Sequence, residues 1–358
     1  MVVRWLALAV FFSVAGAGQP LTFERRRVAD LHGQKIAGAA LSGKRLIAWG
    51  EGVASWSVPE GKSRVLVSGG LFGEGGCVLD VDGDGRLDLV LQELDEPGRL
   101  VWLRAPDWTP HVIDSGMETH DLIPATLFGR KGILLVHKYG QVRFYEIPGD
   151  AADRWPNREV YSFYTPSRQA GLLLADVDRD RLTDILCGNY WIRSPKRFDL
   201  PWRLFAINTY NEAPHSGMAR LAMADLLKTG SRQLVVTEGH VDGARLAWFQ
   251  KPADPRQLWI EHRLSVEPEL VKPHGLDAGD LDGDGRTDIV VGENNGLRSR
   301  LLVFHNEGRG DFRAYTIGEG TPLHSLRVMD ADGDSRLDLA VAGPAAIEWW
   351  RNTTQRRR

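Results

Sequence analysis

Four segments of the chain place aspartate at positions 1, 3, 5 and 9 of a short acidic run: DVDGDGRLD from residue 80, DVDRDRLTD from 176, DLDGDGRTD from 280 and DADGDSRLD from 330. In a tight loop, carboxylates at that spacing and the backbone carbonyl of position 7 can wrap one calcium ion, which takes roughly six to eight hard oxygens. The expected ligand sets are Asp80, Asp82, Asp84 and Asp88 with Arg86; Asp176, Asp178, Asp180 and Asp184 with Leu182; Asp280, Asp282, Asp284 and Asp288 with Arg286; and Asp330, Asp332, Asp334 and Asp338 with Arg336. Up to four calcium ions are expected, acting as structural staples, because such a loop spends its coordination on protein oxygens and leaves little room for substrate. Magnesium fits less well, since it demands octahedral geometry and holds its waters. Position 6 must turn sharply, where glycine is cheap. Gly85 and Gly285 meet that need and Ser335 and Arg181 do not, so the loop at 330 ranks below the two glycine loops and the loop at 176 ranks last.

The acidic runs belong to a longer repeat. A worn copy, DLLKTGSRQLVV, begins at Asp225, and first aspartates are spaced by 96, 49, 55 and 50 residues, so the unit is near 48 and the longest gap holds two. The copy inside that gap is GRKGILLV at 129–136, and another lies upstream as LSGKRLIAWG at 41–50; neither keeps the acids. Each unit reads as four short strands: one entering the loop, one leaving it, a third carrying Trp, as in RLVWLRA at 99 and AAIEWWR at 345, and an outer one, as in WTPHVID at 108. That is the pattern of a propeller blade. The last unit lacks an outer strand and LTFERRRVAD at 21–30 is an outer strand without a unit, so pairing them would leave no bare sheet edge. The expectation is all-β: a seven-bladed β-propeller of four-stranded antiparallel blades over residues 18–353, closed by the N-terminal strand completing the last blade, with a basic tail at 354–358.

On these loops and strands the chain resembles the FG-GAP/VCBS repeats, the calcium-binding propeller repeats of integrin α-subunits and of many secreted bacterial proteins. The resemblance covers essentially everything after residue 17. It implies an exported protein that binds a partner, since fold alone does not give function.

The acidic loop joins the first and second strands, so the start of the first and the end of the second lie together on the opposite face. Six residues before the first aspartate stand His274 and His324, with His120 and His215 near the same place in worn units. Five residues after the last ligand position stand Glu93, Glu238 and Glu293, with Lys138 and Asn189 in that register. Innermost strands line a propeller's axis, so a ring of His and Glu at one mouth of the channel is expected, suited either to a ligand or to tying blades together. Tyr190 and Trp191, beside Asn189, would suit sugar stacking if exposed and interblade packing if not.

Residues 1–17, MVVRWLALAVFFSVAGA, order a positive charge, an apolar run and small residues as a signal peptide does, with cleavage expected near Ala17 and the protein secreted or periplasmic. The apolar run is too short to span a bilayer, so no transmembrane segment is expected. With 44 Lys plus Arg against 47 Asp plus Glu there is no basic surplus to draw nucleic acid, and two cysteines, Cys77 and Cys187, make no disulfide framework. No G-x-S-x-G, H-E-x-x-H or phosphate loop is present. Asn352-Thr353-Thr354 is a glycosylation sequon. The expected function is non-catalytic binding of a protein or glycan through one face. The alternative is a calcium-dependent, polysaccharide lyase-like enzyme working at the His/Glu mouth, with Lys138 and Arg168 as near-axis bases for an acidic substrate.

Overall fold

The second strand of each repeat is an almost unbroken apolar run, and such a strand is stable only if covered on both faces. Leu89, Val90 and Leu91, Leu134 to Val136, and Ile289 to Val291 are all fully buried. A computed structural model describes residues 21–31, 35–164, 168–208 and 218–355. The expected signal segment at 1–17, His215 and the last three arginines lie outside those residues.

The protein is an all-β propeller of antiparallel sheets. Among the described residues, five sheets have four strands and one has six. Three of the four-stranded sheets hold acidic loops, and two of them are formed in chain order: Pro273–Gly279, Asp288–Glu293, Arg300–Gly308 and Asp311–Glu319; and Leu172–Ala175, Asp184–Cys187, Tyr190–Arg193 and Arg203–Ala206. Ala219–Ala224 opens another four-stranded sheet and Thr119–Leu127 a further one. The last runs Ser325–Met329, Asp338–Ala342, Ala346–Asn352 and then Phe23–Asp30, whose register runs from Phe23 opposite Asn352 to Asp30 opposite Ala346.

Where seven separate blades are expected, the described residues form six sheets of blade size, one of them with six strands. The reason lies in two long strands. Arg45–Ser57 and Ser63–Leu79 run without a break through what the repeat length divides in two, so the first two expected blades share one sheet of six strands, from Ile36–Ser42 to Thr109–Ser115.

The core lies between sheets. Val90 and Trp102 of one sheet pack with Ile133, Leu135 and Tyr145 of the next, and Val290 and Leu301 pack with Leu326, Leu339 and Trp350. Buried amides and an amine reinforce these seams. Asn306 Nδ2 donates to Leu226 O of the preceding sheet at 2.9 Å, and Asn352 Nδ2 to Leu281 O at 2.7 Å. Lys251 Nζ makes the same link to Val177 O. Asn352 is therefore fully buried and bonded, and the sequon it heads offers no amide for a glycan. Thr354, placed in the tail by sequence, is also buried, and its hydroxyl accepts the Thr22 N–H at 3.0 Å.

Candidate functional sites: the acidic loops and the channel mouth

The loop backbone is shaped by the carboxylates themselves. Asp80 accepts the N–H groups of Gly83 at 2.8 Å and Gly85 at 3.0 Å, and Asp280 and Asp330 do the same at 2.7–3.0 Å. Position 9 is a clasp. Asp88 accepts Val81 N at 3.2 Å and Ala105 N at 2.8 Å, so one carboxylate pins the loop to the end of the third strand. Asp184, Asp288 and Asp338 repeat both bonds, and in the worn loop Gln233 keeps the first of them, to Leu226 N at 2.8 Å. Burial raises the pKa values of these position-9 carboxyls: Asp184 is pushed up to about 6, and Asp88, Asp288 and Asp338 also rise.

Position 3 has a partner that the sequence reading did not anticipate. Arg104 Nε reaches Asp82 at 2.7 Å, Arg193 reaches Asp178 at 2.5 Å, Arg351 reaches Asp332 at 2.7 Å, and His305 Nε2 lies 3.2 Å from Asp282. Each of these groups comes from the third strand, so an arginine offsets part of the charge of three loops, and an imidazole stands beside Asp282 in the fourth. Position 5 is paired as well: Asp84, Asp284 and Asp334 each meet the side chain of the position-7 arginine, Arg86, Arg286 or Arg336, while Asp180 meets Arg193 at 3.2 Å. Leu182, at position 7 of the 176 loop, donates its N–H to Asp180 Oδ1 at 2.9 Å.

The donor set nevertheless suits a hard cation. Oxygens of Asp80, Asp82 and Asp88 come within 4.8 Å of one another, as do those of Asp176, Asp178 and Asp184 and those of Asp330, Asp332 and Asp338. Asp178 Oδ1 is buried without a partner, the kind of orphan acceptor that a cation satisfies. In the 280 loop the cluster is Asp282, Asp284 and His305, with a nitrogen in place of an oxygen.

All the loops take left-handed backbone at two positions rather than one. Position 4 is Gly83, Gly283, Gly333 or Arg179, and position 6 is Gly85, Gly285, Ser335 or Arg181, with φ between 63° and 85° throughout. A side chain there costs on the order of 1 to 2 kcal/mol. Arg181→Gly is therefore expected to stabilise the protein by about 1 kcal/mol in a denaturant melt, because its φ of 71° is one glycine adopts freely. A loss of stability would show that the arginine side chain holds the loop.

The channel is the second site. A cavity of about 290 Å³ is lined by residues from every first strand, among them Glu74, His120, Arg220, His274 and His324. Of the four histidines expected at this mouth, the three that the structure describes all line it. His274 and His324 lie edge to face at 5.5 Å, and His240, from the turn after Gln233–Glu238, packs on His274 at 4.3 Å. Glu74 sits between: 2.7 Å from His120 Nε2 and 3.0 Å from Arg220 Nη2. Burial opposes ionisation of Glu74, but His120 and Arg220 outweigh it and hold its carboxyl below the usual range. Burial likewise works against a charge on His120, yet Asp121, 3.0 Å from its Nδ1, and Glu74 raise it to about 9. His274, desolvated and facing Arg220, falls to about 2.

Glu74 could have been found: it stands six residues before Asp80, in the register of His274 and His324. Arg220 is one residue out of that register, and His240 lies in a turn that carries no repeat signal.

The second half of the expected ring does not line the cavity. Glu293, almost wholly buried, accepts Arg300 Nε at 2.9 Å and Nη2 at 2.6 Å, and Arg300 also donates to the carbonyls of Pro268 and Glu269. Glu238 accepts the Arg245 N–H at 3.2 Å, and Glu93 pairs with Arg99. Asn189 accepts from Arg245 Nη2 at 3.0 Å, and Lys138 is an exposed turn residue whose N–H bonds Glu118 O. The glutamate device joins the second strand to the start of the third. Trp191 is buried against Phe205 and offers no sugar platform. Cys77 and Cys187 are buried free thiols, and burial raises both beyond ready ionisation.

In acid the buried neutral histidines weaken the fold, whereas the position-9 aspartates, with their raised pKa values, act the other way. His274, and His137 at about 4, stay neutral in the folded chain, whereas an unfolded histidine protonates near ~6.5. At these histidines the unfolded chain then binds more protons below that pH, so their contribution to stability falls as pH drops from about 6.5 towards 4. His120 acts oppositely: its contribution is complete below about 6.5 and is lost as pH rises through about 9. Melting temperatures measured from about pH 6 to about pH 10 should fall between ~6.5 and ~9 and level off above it, and a rise through that window would contradict the assignment of His120.

The fold and its loops define a repeat β-propeller. Residues 280–341 match the FG-GAP-like repeat family, in agreement with the resemblance read from the acidic loops. Among curated proteins no sequence matches. Among solved structures the chain is similar to an ancestral GH74 enzyme, with a TM-score of 0.58 and 14% identity over 90% of this chain and 48% of that one. It is also similar to YCF48 from Cyanidioschyzon merolae, with a TM-score of 0.55 and 10% identity over 91% and 98%. The chain thus spans about half the length of the first of these. At such identities the likeness shows the fold alone.

Proposed function

We propose that the chain is an exported, calcium-stapled propeller of seven blades that binds a protein or glycan partner, without catalysis, through the charged end of its channel. Two glycine bends support the seventh blade. Val58 N–H bonds Lys44 O, which folds Arg45–Ser57 back on itself around Gly52, and Ser63–Leu79 bends at Gly69 and Gly70, all three glycines having φ near 80°. First strands also touch in cyclic order, with Ser325–Met329 meeting Ile36–Ser42, as in a ring closed through the Phe23–Asp30 pairing.

One observation carries the binding reading: Glu74, His120, Arg220, His274 and His324 converge on one cavity from different sheets, and no single repeat needs such a set for its own packing. A scaffold contact would recur unchanged from unit to unit, whereas these residues differ in charge, as an asymmetric ligand requires. The largely buried guanidinium of Arg220 and the imidazoles around it, lining the cavity, suit an oxygen-rich, anionic partner such as an acidic oligosaccharide. Titration of an array of acidic and neutral glycans with wild type and Arg220→Ala is expected to show binding that falls at least about tenfold in the variant, with the melting temperature held within a few degrees. Equal binding by both proteins would contradict it.

One feature favours the lyase-like alternative. Arg168 lies 4.8 Å over the ring of Tyr139, which stands 6.3 Å from His120, so a guanidinium, a phenol and an imidazole meet at the rim. New ultraviolet absorbance from an unsaturated uronide on incubation with an acidic polysaccharide would establish that reading, and its absence across such substrates would sink it.

A further inference from the structure

Calcium prefers oxygen, yet the most compact donor cluster in the channel is two imidazoles and a carboxylate. His120 Nε2 lies 2.7 Å from Glu74 Oε2 and 3.4 Å from His240 Nε2, and His240 Nε2 lies 3.8 Å from Glu74 Oε1. Three donor atoms within 4.8 Å of one another, drawn from three different parts of the chain, form the face of a tetrahedron. We infer that Glu74, His120 and His240 bind one divalent transition metal of the zinc type, separately from the acidic loops.

The surroundings fit that role. A metal-binding histidine typically gives its other ring nitrogen to a carboxylate, which fixes the ring and its tautomer. His120 does so: Nδ1 lies 3.0 Å from Asp121 Oδ2, and that oxygen is itself held by the Gly171 N–H at 2.7 Å. Arg220 Nη2 orients Glu74 from the side at 3.0 Å. His274 packs against His240 and steadies the one ligand that comes from an exposed turn. Three protein ligands of the types Zn²⁺ takes leave a fourth position, which would face the cavity, and an anionic oxygen of a bound molecule would complete the sphere beside Arg220.

Cobalt(II) tests this with the metal alone as probe. In saturating calcium, the purified chain is expected to take up one equivalent of Co²⁺ with the intense visible bands of a four- or five-coordinate site, displaced by one equivalent of Zn²⁺. His240→Ala, which removes a partly exposed side chain, should keep its melting temperature and lose Co²⁺ affinity by at least about a hundredfold; Asp121→Asn should weaken it by about tenfold. Absence of the bands in wild type, or identical titrations of wild type and His240→Ala, would overturn the inference. The spectrum needs no partner, so the partner-binding reading can fail while the metal site stands, and the reverse.

Discussion

Removal of calcium by a chelator is expected to lower the melting temperature by at least about 10 °C while leaving the chain folded at room temperature. An ion that binds only the folded state adds RT ln(1 + [L]/Kd), roughly 4 kcal/mol per site at a thousandfold excess, and up to four loops contribute. The apo chain should survive because its loops are not bare clusters of charge. Arg104, Arg193, Arg351 and His305 each meet the position-3 aspartate of a loop, and position 9 is held by two backbone N–H groups with or without a cation. Asp284→Ala should cost more of the calcium-dependent stability than Asp180→Ala, since the 280 loop has glycine at both left-handed positions and the 176 loop has arginine at both. Thermal melts in chelator and in millimolar calcium check both statements. Superimposable curves would remove the staples from the account.

The second large effect lies at Glu293. Replacing it by Ala should destabilise the protein by about 3 to 5 kcal/mol, because Arg300 would be left as a buried charge without its carboxylate. Arg300 also spans to the Pro268 and Glu269 carbonyls, so the loss would spread to the segment entering the Pro273–Gly279 strand. His274→Ala should behave differently. It removes a neutral ring from the cavity wall and leaves no charge stranded, so its effect should fall on ligand binding while stability changes by about 1 kcal/mol. Denaturant melts of the two single variants beside one binding assay separate scaffold from mouth. Equal losses of stability would mean that both residues serve the frame.

Much of this architecture can be read from a repeat whose aspartates must sit at fixed offsets. Those offsets mark the loops, and the strands on either side follow from the apolar runs that enter and leave them. Counting six residues back from a loop finds His274 and His324, and applied to the loop at 80 it also finds Glu74. What sequence hides is pairing across distance. Arg104 lies 22 residues from Asp82 and Arg351 lies 19 from Asp332, and only the return of the third strand brings them together. The glutamates at the second-strand ends share a register with the mouth, but their partners at the start of the third strand turn them into braces. The count of sheets fails where Gly52, Gly69 and Gly70 let two strands bend without interruption, because a repeat length does not reveal whether a corner breaks the ladder.

The central claim is that the acidic loops hold calcium, and direct counting tests it. Equilibrium dialysis of the chelator-stripped chain against calcium, with the bound metal measured by atomic emission, should give between two and four ions per chain. Asp80→Ala and Asp330→Ala should each remove one ion. A chain that retains no calcium at millimolar free ion, or a count unchanged by either substitution, would contradict the account.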